Sequence, residues 1–263
     1  MSANQFGKLS KILLRAKAED GKTFLEDVYF TAPFKIMRPF PRENGGIRVM
    51  QMAASAGIME GDCQELEFDI GTGADLEFVS QSYDKIHEMK EGCARRTTKI
   101  RVHSGAAFCF HPQPTIPFKD SAFESRMEIH LDDETSVFSM SEILSCGRYA
   151  REERFAYRHY YNLVEIHRGE ALIYRDNTRY IPSMFDMEGL GMYENFTHLS
   201  NIFISRPKDP EAYKRKIQEI LDRKADVEGS VTMLFGGDLA VRIFGRRAQD
   251  LERVNKEIFG TEH

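Results

Sequence analysis

Apolar and polar residues alternate through long stretches of the first two hundred positions. Residues 64–70 (QELEFDI) set Leu66, Phe68 and Ile70 on one face and Glu65, Glu67 and Asp69 on the other. That period of two predicts a half-buried strand. Residues 74–80 (ADLEFVS) repeat the pattern after a Gly71-Thr72-Gly73 corner. The segments 97–103 and 106–111 follow across Ser104-Gly105, and 125–131 and 136–142 across Asp132 to Thr135. A later pair, 162–167 and 171–174, flanks a turn at Arg168-Gly169-Glu170.

The first three corners recur about every 30 residues, a period that fits stacked β layers in a distorted β-solenoid. A meander of hairpins in a sandwich would show the same alternation, and periodicity does not separate the two. The last quarter changes character. Residues 198–205 predict a strand, and Asp209-Pro210 offers an N-cap with proline in the first helical turn. A helix over 211–224 follows, then strands 229–235 and 238–244 across Gly236-Gly237, then a helix over 249–259. No Pro/Ser-rich linker interrupts the chain. The expectation is one domain over 1–263: strand-rich over 1–205, with a β-α-β-β-α tail over 198–263 on the same core. A looser stretch, 177–195, is rich in Met, Gly and Pro and predicts a loop open to a partner.

Composition narrows the class. The 263 residues are 41% hydrophobic and 29% charged with a net charge of −5, which is an ordinary globular balance with no basic footprint for nucleic acid. No apolar run approaches the roughly 20 residues needed to span a bilayer. The first 24 residues lack the continuous apolar core of a secretory signal. Cys63, Cys93, Cys109 and Cys146 form no CxxC pair and no disulfide-dense pattern, so reduced thiols in a cytoplasmic protein are expected. With no Trp and 19 Phe, phenylalanine must carry the aromatic core.

Catalytic motifs are missing: there is no phosphate loop, no GxGxxG after a strand, no HExxH and no GxSxG. His87-Glu88 and Cys109-x-His111 are the nearest approaches to metal ligands. Period two puts Cys109 and His111 on one strand face and Phe108 and Phe110 on the other, and one such pair does not close a tetrahedral site. No tight metal site or bound cofactor is therefore expected. The acids are more informative. Glu142 shares a strand face with Phe138 and Met140, where a carboxylate must be hydrated, paired or in contact with a cation. An ion pair to Arg148 or Arg151 is the plain reading. Asp62 ends a glycine-flanked turn, where Asp commonly bonds its own backbone. Asp84, with Lys85 and His87, forms a polar knot after a strand, and Asp176 with Asn177 ends another. For partner contacts the candidates are the segment from Met184 to Met192 (MFDMEGLGM) and the arginines from Arg242 to Arg253, although the latter read more readily as a solvated helix face.

Six ordered segments then stand out: PFKIMRPF from Pro33, SAGIMEGD from Ser55, SQSYDKIH from Ser80, PTIPF from Pro114, SEILSCGR from Ser141 and IYRDNT from Ile173. In this order and spacing the chain resembles the UreD family of urease accessory proteins, called UreH in helicobacters, from about residue 8 to the end. The helicobacter-type branch is the nearest in look. The resemblance implies a mainly β, helix-like stack of sheets with two C-terminal helices. It implies a non-enzymatic chaperone in a hetero-oligomer, binding urease apoprotein and UreF, which recruits the GTPase UreG. It also implies nickel(II) in transit through an internal water-filled tunnel. On that pattern the tunnel acids fall on Asp62, on Glu142 (many members have Asp there) and at or next to Asp176. The position of Asp84 departs from the small polar residue usual in the family. A stand-alone nickel carrier or storage protein, built on the scattered His, Cys and carboxylates, is the rival reading.

Overall fold

The computed structural model describes residues 9–260. The one-domain expectation and the reading of the N-terminal stretch also extend onto residues 1–8 and 261–263, which lie outside the described residues. The elements run β1 (Leu9–Glu19), β2 (Lys22–Phe30), β3 (Phe34–Ile36), β4 (Phe40–Pro41), β5 (Ile47–Ala53), β6 (Cys63–Ile70), β7 (Asp75–Ser80), β8 (Asp84–Ile86), β9 (Ala94–Val102), β10 (Ala107–His111), β11 (Thr115–Pro117), β12 (Ala122–Leu131), β13 (Val137–Ser145), β14 (His159–Arg168), β15 (Ala171–Tyr180), β16 (His198–Ile204), α1 (Pro210–Asp222), β17 (Val227–Met233), β18 (Leu239–Gly245) and α2 (Ala248–Phe259).

The first three strand pairs read from the sequence are not hairpins, whereas the later pairs β14–β15 and β17–β18 are. β6, β9 and β12 lie in one sheet, ordered β15-β14-β12-β9-β6-β1-β2, while β7, β10 and β13 lie in a second, ordered β17-β18-β16-β13-β10-β7-β5-β3. Each corner hands the chain from one sheet to the other. Neighbours within each sheet are therefore parallel: β1, β6, β9, β12 and β14 in the first, and β5, β7, β10 and β13 in the second. Parallel strands need a long crossover, and here each sheet's strand is the crossover for the other. The layered alternative holds and the meander does not. β1, β2 and β5, together with the short strands β3 and β4, were not read from the sequence. β15 runs on to Tyr180, so the first four residues of the expected 177–195 loop are strand.

The sheets close on phenylalanine. Phe68, Phe78, Phe108 and Phe138 are fully buried, with ring centroids 4.8 Å apart for Phe68–Phe78 and 5.3 Å for Phe68–Phe108. The tail joins the second sheet through β16, which pairs antiparallel with β13 and β18. Asp209 caps α1 by accepting from the Ala212 N–H at 2.9 Å, and Pro210 occupies the first turn. Ile217, Ile220 and Leu221 of α1 and Leu251, Val254 and Ile258 of α2 bury against β16–β18. No described helix is long and apolar enough to cross a membrane.

One buried ion pair ties the tail to the first sheet. Asp238, at 0% exposure, accepts from both terminal nitrogens of Arg168 at 2.7 and 3.0 Å and from the Arg206 backbone N–H at 3.0 Å. Removing one partner of such a pair strands the other charge. Asp238→Ala should therefore lower stability by about 3–5 kcal/mol in urea unfolding, and an Asp238→Leu/Arg168→Met double variant should recover most of the loss. A single-variant loss below about 1 kcal/mol would show that the pair is not strained by losing its acid.

Candidate functional site

The inward faces of the strands share one interruption. In β14 the inward side chains read Tyr160, Asn162, Val164, Ile166. In β12 they read Phe123, Ser125, Met127, in β13 Met140, Glu142, Leu144, and in β16 Leu199, Asn201, Phe203. Each has a polar residue between apolar ones. Parallel register then stacks these interruptions side by side. Gln64 lies opposite Arg96, Arg96 opposite Ser125, Ser125 opposite Asn162, and Asn162 opposite Thr178. On the second sheet Glu142 lies opposite Asn201, and Asn201 opposite Arg242. The result is a polar seam through the sandwich. It divides the phenylalanine cluster from a second apolar cluster that includes Ile86, Phe123, Tyr160 and Tyr193.

Side-chain contacts follow the seam. At one end Arg96 pairs with Asp84 at 2.7 Å, donates from Nε to Gln64 Oε1 at 2.9 Å and lies over the Phe123 ring. In the middle Asn162 Nδ2 donates to Glu142 Oε2 at 3.0 Å. At the other end Asp176 Oδ2 accepts from Arg242 Nη2 at 3.2 Å and from Asn201 Nδ2 at 3.4 Å, and Arg242 Nε donates to Asn201 Oδ1 at 3.0 Å. Arg242 is 54% exposed, so this end meets solvent.

Burial raises the pKa of Glu142 above the ordinary value of 4.5; the Asn162 hydrogen bond opposes that shift, and the Asp176 charge adds to it. The residue as a whole is half-buried, not sealed. Buried Asn162 Oδ1 and Thr98 Oγ1 have no hydrogen-bond partner among the described residues. Burial also pushes the phenols of Tyr160 and Tyr174 well up, so both stay protonated beside the carboxylates.

The seam therefore gathers Asp84, Glu142 and Asp176. Glu142 makes no pair with Arg148 or Arg151: Arg148 binds Glu153 instead, and the inward face carries Glu142 toward Asn162. Asp62 Oδ2 accepts from the Met59 N–H at 2.8 Å and closes its own turn, two residues before Gln64. His87 sits apart, with Nε2 3.0 Å from the Ala56 carbonyl and its ring edge-on to Phe118.

Cys109 and His111 lie on the outer face of β10, away from the seam. The His111 ring packs 4.2 Å from Phe259, its Nδ1 is 3.1 Å from Ser141 Oγ, and burial lowers its pKa to about 4. Among the described residues no three His, Cys, Asp or Glu side chains converge to hold a metal ion. The 184–192 segment is pinned by buried Met187 and neighbouring Tyr193, while Met184, Phe185 and Leu190 are exposed. Arg242 belongs to β18 and not to a solvated helix face. Sequence reading missed Arg96, Asn162, Asn201 and Arg242 as seam residues. Their signal is a polar residue at an inward position flanked two residues away by apolar ones.

Glu142 gives a pH test. A carboxyl whose folded pKa is raised favours the folded state at low pH, and that contribution is lost as pH rises through the window above 4.5. Glu142→Gln should melt at a higher temperature than the wild type at pH 7–8, and the gap should close as pH falls to about 4.5. Thermal melts across pH check this, and an equal gap at every pH would refute the desolvated carboxylate.

The chain matches, over residues 9–261, the family described as UreD urease accessory protein. It is 40% identical over 256 residues to the urease accessory protein UreD of Acetivibrio thermocellus, covering 97% of each chain. It is 32% identical over 257 residues to the urease accessory protein UreH of Helicobacter pylori, covering 97% of this chain and 95% of that one. With the stacked-sheet fold and matches that span nearly its whole length, the chain belongs to the UreD family of urease accessory proteins.

Proposed function

We propose that the protein works in urease maturation as a cytoplasmic, non-catalytic bridge. It holds urease apoprotein and a UreF-like partner, through which the GTPase UreG acts, and passes nickel(II) along the polar seam. The observation that carries this reading is the position of Glu142: an acid facing inward between two apolar clusters, with an amide for a neighbour and no Lys or Arg paired with it among the described residues. Buried polar atoms that find no protein partner support water in the seam. Carboxylate, amide and hydroxyl oxygens hold a borderline cation such as nickel(II) weakly. Weak, spaced sites suit passage, because a cation that binds must also leave. Asp84, Glu142 and Asp176 are the acids of the route. Asp62, bonded to its own turn, belongs to the shape of the entrance.

The test uses urease-positive cells limited for nickel. Glu142→Ala and Asp176→Ala should each lower urease activation by about tenfold, while pull-down of the urease and UreF-like partners is retained. Glu142→Asp should keep most activity. Activation intact in both alanine variants would refute passage through the seam, and loss of pull-down would assign these acids to assembly instead. Equilibrium dialysis of the purified chain separates the bridge from a stand-alone carrier. Weak, diffuse nickel binding is expected, and a tight stoichiometric site would overturn the bridge reading.

A further inference from the structure

The outer face of the second sheet carries a groove of about 1010 Å³ that the seam does not use. Its floor is the outward row of β7, β10 and β13. Small side chains, Ala107, Cys109, Ser139 and Ser141, let an occupant approach the sheet closely. Met50, Val79, Val137 and Phe259 give the groove an apolar lining.

The two sides differ in charge. On the β5–β7 side the charges are satisfied within the protein: Arg42 pairs with Asp75, and Arg48 with Glu77 at 2.8 Å. On the helix side Asp209 caps α1, and Glu252 accepts from the Tyr83 hydroxyl at 3.3 Å. Lys208, Lys216 and Lys256 stand exposed on that side with no acidic partner among the described residues. The N-terminus of α1, a partial positive charge, opens into the same wall. A chain with a net charge of −5 thus reverses sign along this groove.

We infer that this groove docks an acidic amphipathic segment of a partner protein. Its carboxylates would meet Lys208, Lys216 and Lys256, and its apolar side chains would lie over Phe259 and the small-residue floor. Three cations with no acidic partner among the described residues, beside an apolar lining, are complementary to a segment that alternates acids with aliphatic residues. The volume, about 1010 Å³, stands at the top of the roughly 300–1,000 Å³ of small-molecule sites and leaves room for a short length of chain. This surface is separate from the seam, and the inference does not require nickel passage.

The probe is a fluorescent amphipathic peptide of Glu, Leu and Ala, titrated against the purified full chain by anisotropy. Binding is expected, weakened by salt as exposed charge pairs are. It should be weakened about tenfold or more by the triple variant Lys208→Glu/Lys216→Glu/Lys256→Glu. The milder Lys→Gln set at the same positions should lie between, and its melting temperature shows whether the fold is kept. Phe259→Ala should also weaken binding, and an equally charged peptide of Glu, Gly and Ser should bind more weakly than the amphipathic one. Equal affinity for the triple variant would overturn the proposal. So would displacement of the peptide by millimolar inorganic phosphate, which would make the groove a small-anion site. A groove that fails this test leaves the seam untouched, because the seam is read by urease activation and not by peptide binding.

Discussion

A carboxylate inside a protein must be hydrated, paired or protonated, because leaving it charged and dry costs several kcal/mol. Glu142 meets that constraint from within the sheet sandwich, and the architecture around it follows. An amide, not a guanidinium, faces it. The full cations, Arg96 and Arg242, stand toward the two ends of the seam, each beside another acid. Had Arg148 reached inward, as the strand spacing allowed, the acid would be a sealed ion pair. Instead Arg148 turns outward to Glu153 and stacks over Phe118. The middle of the seam therefore keeps an acid that lacks a fixed countercharge.

Parallel coiling is what turns one such acid into a line. In a hairpin meander, successive strands run in opposite directions, so equal positions along successive circuits do not fall into one row. In this fold each circuit brings the chain back in the same direction and at the same height. Gln64, Arg96, Ser125 and Asn162 come from four circuits and occupy one row. The antiparallel strands that close the coil, β15, β16 and β18, extend the row with Thr178, Asn201 and Arg242. The apolar rows on both sides are continuous for the same reason. The seam is thus bounded by walls that bury Phe68 and Phe108 on one side and Phe123 and Tyr160 on the other.

Much of this was legible in the chain, and the rest was not, for definite reasons. Period two located β6, β7, β9, β10, β12 and β13 and put Glu142 inward, because side-chain alternation is local. The capped helix at Asp209-Pro210 was legible because its signals lie within one turn. Which sheet each strand joins was not legible, since a corner and a hairpin use similar Gly-rich connections. β1 and β2 escaped because LSKILLRAKA does not alternate cleanly and the end of β2, Val28 to Phe30, is exposed on both faces. The partner of Glu142 was misread toward Arg148 because nearness in sequence favours it, whereas Asn162 comes one circuit later. Asn162 and Asn201 were overlooked for a related reason: a lone amide in an apolar strand means little until register stacks it on others.

Alternation also separates the two surfaces that matter. On β13 the side chain of Glu142 points into the seam, while those of Ser141 and Ile143 point to the outer groove. On β10, Phe108 and Phe110 fill the core between the sheets, and Cys109 and His111 face outward. One strand thus lines the interior seam and the exterior groove with neighbouring residues. Mechanical coupling between them is limited, because the sheet between them is held by backbone ladders and packed phenylalanines that resist small shifts. On the proposed reading, a partner seated in the groove would act on nickel passage by fixing where the seam's open end lies relative to the next protein, and not by reshaping the seam. Orientation of this kind is what the proposed bridge would supply.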